Sequence, residues 1–120
     1  MMLRPLDSID SLHTALAQSA VRPAVIFKHS LTCGTSAMAM AEIEDLTGGA
    51  SFAADVYLVQ VQRARAVSGA IEASLGIRHE SPQVLVIVDG RVVWHASHFR
   101  VTAAAVLAAV RHHAAATLVN

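Results

Sequence analysis

Few residues here carry side chains suited to covalent chemistry, and Cys33 leads them. It is the one cysteine among 120 residues. Lys28 and His29 lie just upstream as sources of positive potential, and Thr32 and Ser36 flank it with hydroxyls. One thiol excludes an internal disulfide framework and any structural zinc site built from several thiolates. If Cys33 reacts, its oxidised product is a mixed disulfide with another molecule or a sulfenic acid. The competing reading is an inert cysteine packed as a small hydrophobe. Its place in the fold decides between them.

Apolar residues at 6, 9, 12 and 16 have helical spacing, with Asp7 or Ser8 as the cap and Arg22-Pro23 as the break. Ala24–Phe27 is a short apolar run that reads as a buried strand. A second helix is expected from about Cys33 to Leu46, with Ala39, Ile43 and Leu46 on one face and Gly48-Gly49 at its end. Val56–Val61 reads as a strand. Val67, Ile71 and Leu75 mark a third helix, stopped by Gly76. Ser81-Pro82-Gln83 leads into the strand Val84–Val88. Asp89-Gly90 is a two-residue hairpin signal, and Arg91–His95 returns. Thr102 caps a last helix carrying Val106, Leu107 and Val110, which Ala114–Asn120 continues or frays.

The order α-β-α-β-α-β-β-α predicts a single α/β domain, residues 1–120, with a small mixed sheet of about four strands flanked by helices. It is similar to the thioredoxin fold, a βαβ half joined by a helix to a ββα half. Cys33 then falls between a strand and the opening of a helix. Unpaired N–H groups there favour a thiolate over a thiol. This position supports the reactive reading. Ser36 stands where a dithiol enzyme would carry its second cysteine, so the chemistry is monothiol exchange. The fold resemblance also implies that Pro82 is a cis-proline facing Cys33. The backbone of Ser81 would then pair with the peptide-like part of a bound thiol.

Phe27-Lys28-His29-Ser30-Leu31-Thr32-Cys33-Gly34-Thr35-Ser36 resembles the active-site segment of the YtxJ-like monothiol bacilliredoxins, F-K-H-S-x-T-C-P-x-S. Val67-Ser68, Gly76-Ile77-Arg78-His79-Glu80-Ser81-Pro82-Gln83, Trp94, Ser97-His98 and Val101-Thr102 follow in the family's order, so the resemblance spans about residues 6 to 110. It implies reduction of mixed disulfides between proteins and bacillithiol, a low-molecular-weight thiol. Cys33 would be the nucleophile. Lys28, His29, Thr32, Gly34 and Ser36 would support it, and Ser81, Pro82, Ser97 and His98 would bind the thiol substrate. Bacillithiol is expected as co-substrate with no bound cofactor, and S-bacillithiolated proteins as partners. His79 and His98 are expected near the rim of the site. Gly34 departs from the family proline, which looser turn geometry would accompany.

Two other readings compete. Cys33-Gly34-Thr35-Ser36 is one residue from C-G-F-S of the monothiol glutaredoxins, which carry an iron–sulfur cluster. Their T-V-P and G-G motifs are replaced here by Glu80-Ser81-Pro82 and Ser97-His98. A non-catalytic thioredoxin-like adaptor is the other.

Nine Lys+Arg balance nine Asp+Glu. That balance gives no cationic surplus for phosphate, so no nucleic-acid partner is expected. Apolar residues at 54% sustain a core and exclude intrinsic disorder. No run reaches the roughly 18 apolar residues that span a bilayer, and Asp7 and Asp10 interrupt any signal-peptide core. The expectation is a cytoplasmic protein with no membrane partner. Seven histidines invite a metal. However, neither His95 with His98 nor His112 with His113 gains a third ligand in sequence, so no metal site is expected.

Overall fold

The computed structural model describes residues 3–48 and 52–119. Ser8 caps the first helix, α1 (Ile9–Gln18), in a capping box with Ser11. Gly76, in the left-handed region at φ 73°, ends α3 (Arg65–Leu75). Asp89 and Gly90 both have positive φ, 51° and 76°. This is the backbone of a type I′ turn, joining β4 (Gln83–Val88) to β5 (Arg91–Ser97). Thr102 Oγ1 accepts the Ala105 N–H at 3.2 Å and caps α4 (Ala103–Val119). Of the expected Gly48-Gly49 stop to α2 (Gly34–Thr47), Gly48 is the C-cap. Gly49 lies outside the described residues, as does Asn120 at the end of α4.

The sheet has five strands where about four were expected, in the order β1-β3-β2-β4-β5. The additional strand, β1 (Leu3–Pro5), pairs parallel with β3 (Asp55–Gln60). It has three residues, ends in proline and stays mostly exposed, so it carries no apolar alternation to announce it. Strand β2 (Ala24–His29) runs parallel to β3 and antiparallel to β4. The mixed sheet flanked by helices is a thioredoxin-like α/β fold.

Strand alternation assigns the two faces. Val25, Phe27, Val56, Val84 and Val86 pack with α2 and α4. Ala24, Ile26, Tyr57, Val59, Leu85 and Ile87 pack with α1 and α3. Strand β2 runs two residues past the expected Phe27, and both, Lys28 and His29, are buried. The same alternation sends Lys28 toward α3 and His29 toward α2. That parity decides which polar residues meet at the C-terminal end of β2.

Candidate active site

Strand β2 ends at His29, three residues turn, and Cys33 becomes the N-cap of α2 with extended φ/ψ of −107°/124°. The expected helix start at Cys33 is thus the cap itself. Its carbonyl accepts the first helical bond, from Ala37 N–H at 3.1 Å, and its sulfur is half-buried. No side chain caps this terminus. The first-turn N–H groups therefore remain available to a negative charge on the sulfur.

Ser36, one turn on, is fully buried. Its Oγ accepts the Ser30 N–H at 2.8 Å and lies 2.9 Å from His29 Nδ1. These contacts tie the hydroxyl to the strand end and the loop. Burial lowers the His29 pKa below the ordinary histidine value, with Ser36 and the charge of Glu44 opposing it. At neutral pH the ring is mostly uncharged, so it is not the source of positive potential expected beside the thiol.

Lys28 departs further from expectation. Its side chain, fully buried, faces away from α2, and its Nζ donates to His79 Nδ1 at 3.2 Å. Desolvation brings its pKa down to about 8, partly offset by Glu72. Two residues adjacent in sequence thus serve opposite faces of the sheet, as the pleat requires.

Thr32 is exposed, and its Oγ1 accepts from Gln62 Nε2 at 3.3 Å. Gln62 also donates to Ser30 Oγ at 2.8 Å and accepts the Leu31 N–H at 3.1 Å. It therefore holds all three residues that precede Cys33. Sequence reasoning missed Gln62, because a lone glutamine after a strand carries no motif. Gly34 is the first residue of α2, and a Cβ built on it meets nothing within 4 Å. Space does not demand glycine there.

The Ser81–Pro82 peptide is cis. Gln83 pairs with Lys28, which sets Pro82 across from His29 at the sheet end where Cys33 begins. Pro82 shares the α2 side of the sheet with Val84 and Val86. Its carbonyl accepts the His98 N–H at 2.9 Å, and His98 takes a left-handed φ of 56°. Ser97 pairs with Gln83. A hydrogen bond from Ser97 holds the Glu80 carboxyl below the usual glutamate range. His98 and Thr35 line one cleft of about 210 Å³ together with Met38 and Phe99. Ser81 is half-buried, with its Oγ enclosed and without a hydrogen-bond partner. Leu31, Met38 and Phe99 are exposed apolar residues near this end of the molecule.

Of the residues singled out from sequence, the fold gathers His29, Thr32, Cys33, Gly34 and Ser36 at one strand-to-helix junction. It sets Ser81, Pro82, Ser97 and His98 on the neighbouring strands. It separates Lys28. His79 stands on the Lys28 side, apart from His98. Among the described residues no group of three or more His, Cys, Asp or Glu is disposed to hold a metal ion. No helix among them is long and apolar enough to cross a membrane.

With one thiol at a helix cap and serine one turn on, the comparison that matters is with single-cysteine redox families. The family model described as Monothiol bacilliredoxin BrxC matches residues 4–106. The chain belongs to the monothiol bacilliredoxin family. The single cysteine fits the monothiol thiol–disulfide chemistry of that family. Among solved structures, an oxidoreductase with a thioredoxin fold is 28% identical with a TM-score of 0.80, covering 89% of this chain and 92% of that one. The Malassezia sympodialis thioredoxin (Mala s 13) is 17% identical with a TM-score of 0.75, covering 94% and 91%. Fasciola hepatica thioredoxin is 16% identical with a TM-score of 0.74, covering 92% and 99%. The two thioredoxins speak to the fold alone.

Proposed function

We propose that this bacilliredoxin reduces mixed disulfides between proteins and bacillithiol, with Cys33 as the nucleophile. The observation that carries the reading is the half-buried Cys33 at the uncapped N-terminus of α2, with a buried, hydrogen-bonded Ser36 where a resolving thiol would stand. The Cys33 thiolate attacks the bacillithiol sulfur of the mixed disulfide. A Cys33–bacillithiol disulfide forms, and the client cysteine leaves as a thiolate that takes a proton. A second thiol must then reduce Cys33, because no internal partner exists.

The surrounding residues have defined parts in this reading. First-turn N–H groups of α2 stabilise the thiolate. Ser36 and His29 anchor the helix start to the end of β2. Thr32 shapes the approach, and Gly34 adds an N–H that the family proline lacks. The strand ends at Ser81–Pro82 and Ser97–His98 supply backbone and polar groups to the bound thiol. Leu31, Met38 and Phe99 offer apolar contact to the client around the cysteine.

The test is a client protein carrying bacillithiol on one cysteine, incubated with a molar equivalent of enzyme. The expected result is loss of bacillithiol from the client and its appearance on wild-type protein, with no transfer to Cys33→Ser. Equal removal by Cys33→Ser would refute the reading.

A further inference from the structure

On the α3 side of the reactive loop lies a cavity of about 400 Å³ lined by Val61, Gln62, Arg65, Ser68 and His79. That size falls within the range of small-molecule sites. Its polar lining consists largely of hydrogen-bond donors. Arg65 brings a guanidinium, suited to bidentate carboxylate binding. The state of His79 follows from Lys28. An ammonium only donates, so His79 Nδ1 must be the acceptor of the 3.2 Å contact. The ring is then neutral and carries its proton on Nε2, a further donor. Ser68 Oγ lies 3.2 Å from the same Nδ1. Behind this wall sits the fully buried Lys28, whose pKa of about 8 leaves it mostly charged at neutral pH. Glu72 is the local counter-charge, accepting the His79 N–H at 2.6 Å. Arg65 and Lys28 outnumber it.

Gln62 links this cavity to the thiol. It lines the cavity and also bonds Ser30, Leu31 and Thr32, the residues leading to Cys33. Val61 N–H donates to His29 O at 3.0 Å, joining the same two loops. A ligand seated there lies one loop away from the sulfur.

We propose that this cavity is a carboxylate subsite, which seats the anionic end of a small thiol while its sulfur meets Cys33. The assignment rests on Cys33 as the reacting thiol and adds the class of co-substrate: a small thiol bearing carboxylate. In the coupled step the Cys33 thiolate forms a bond to one sulfur of a disulfide, and the other sulfur leaves as a thiolate and is protonated.

Two measurements test it. In the first, sodium succinate is titrated into full-length protein and followed by amide and imidazole NMR. Shifts are expected at Val61–Ser68 and His79, and Arg65→Gln should weaken binding at least about fivefold. In the second, the rate of adduct formation at Cys33 is compared for N-acetylcysteine disulfide and its uncharged bis-amide. Wild type should favour the acid by about threefold or more, and Arg65→Gln should abolish the preference while leaving the amide rate unchanged. Absence of succinate shifts at these residues, or shifts unchanged by Arg65→Gln, overturns the subsite. A Cys33 that reacts with neither disulfide sinks the thiol-exchange reading instead, and the succinate titration alone then decides the cavity.

Discussion

Ser36 shows how one oxygen in place of sulfur shapes the site. Its hydroxyl is enclosed and meets both Ser30 N–H and His29 Nδ1. Ser36→Ala would leave both groups without that partner, and a loss of about 1–3 kcal/mol is expected in denaturant melts. Lys28 supplies a second residue-scale prediction. Its folded-state pKa is lowered, from 10.5 to about 8, so the unfolded chain binds more protons between those values. Stability attributable to Lys28 therefore rises with pH across that window. Tyr57, raised by burial, acts oppositely above about pH 10. Lys28→Met keeps the apolar stem and should flatten the rise between pH 8 and 9.5. At pH 7 the variant should be at least as stable as wild type, by up to about 2 kcal/mol, as when a buried charge gives way to a packed hydrophobe. A steeper slope in Lys28→Met would contradict the assignment.

At the scale of elements, α2 and its entry loop were largely legible in the sequence. The apolar run of β2 and the helical spacing of Ala39, Ile43 and Leu46 bracket Cys33, and the structure makes it the cap. What escaped was parity. Reading β2 as ending at Phe27 left Lys28 and His29 in a loop, free to face the thiol together. Two more strand residues send them to opposite faces. Strand β1 escaped because three residues ending in proline at a sheet edge carry no periodicity. Gln62 escaped because its value lies in contacts across some thirty residues of chain. Gly34 yields a prediction at this scale. It is the first helical residue, nothing obstructs a side chain, and Cys33 before it is extended, as a residue preceding proline prefers. Gly34→Pro should fold normally and raise stability by about 0.4–1 kcal/mol through the unfolded chain. A fall in melting temperature would show that α2 needs freedom there.

For the whole molecule, the order of elements and the paired F-K-H-S-x-T-C and H-E-S-P-Q segments sufficed to indicate fold and family. The match over residues 4–106 and the thioredoxin-fold neighbours agree. Stability rests on two cores sharing one sheet, each filled mainly by Ala, Val, Leu and Ile. Ile71 is fully buried on the α3 side. Ile71→Ala should cost about 2–5 kcal/mol, by lost transfer energy and the cavity left behind. A change under about 1 kcal/mol would mean that face closes around the gap. The near-balance of charge leaves recognition to local clusters, Arg65 and Lys28 on one side of Cys33 and the apolar rim on the other.

The central claim is that one sulfur, Cys33, exchanges with bacillithiol. Intact-mass measurement after incubation with bacillithiol disulfide tests it most directly. Wild type is predicted to gain the mass of a single bacillithiol, released again by a reducing thiol, and Cys33→Ser to gain none. Unmodified wild type under conditions where a denatured control is fully labelled would contradict the account.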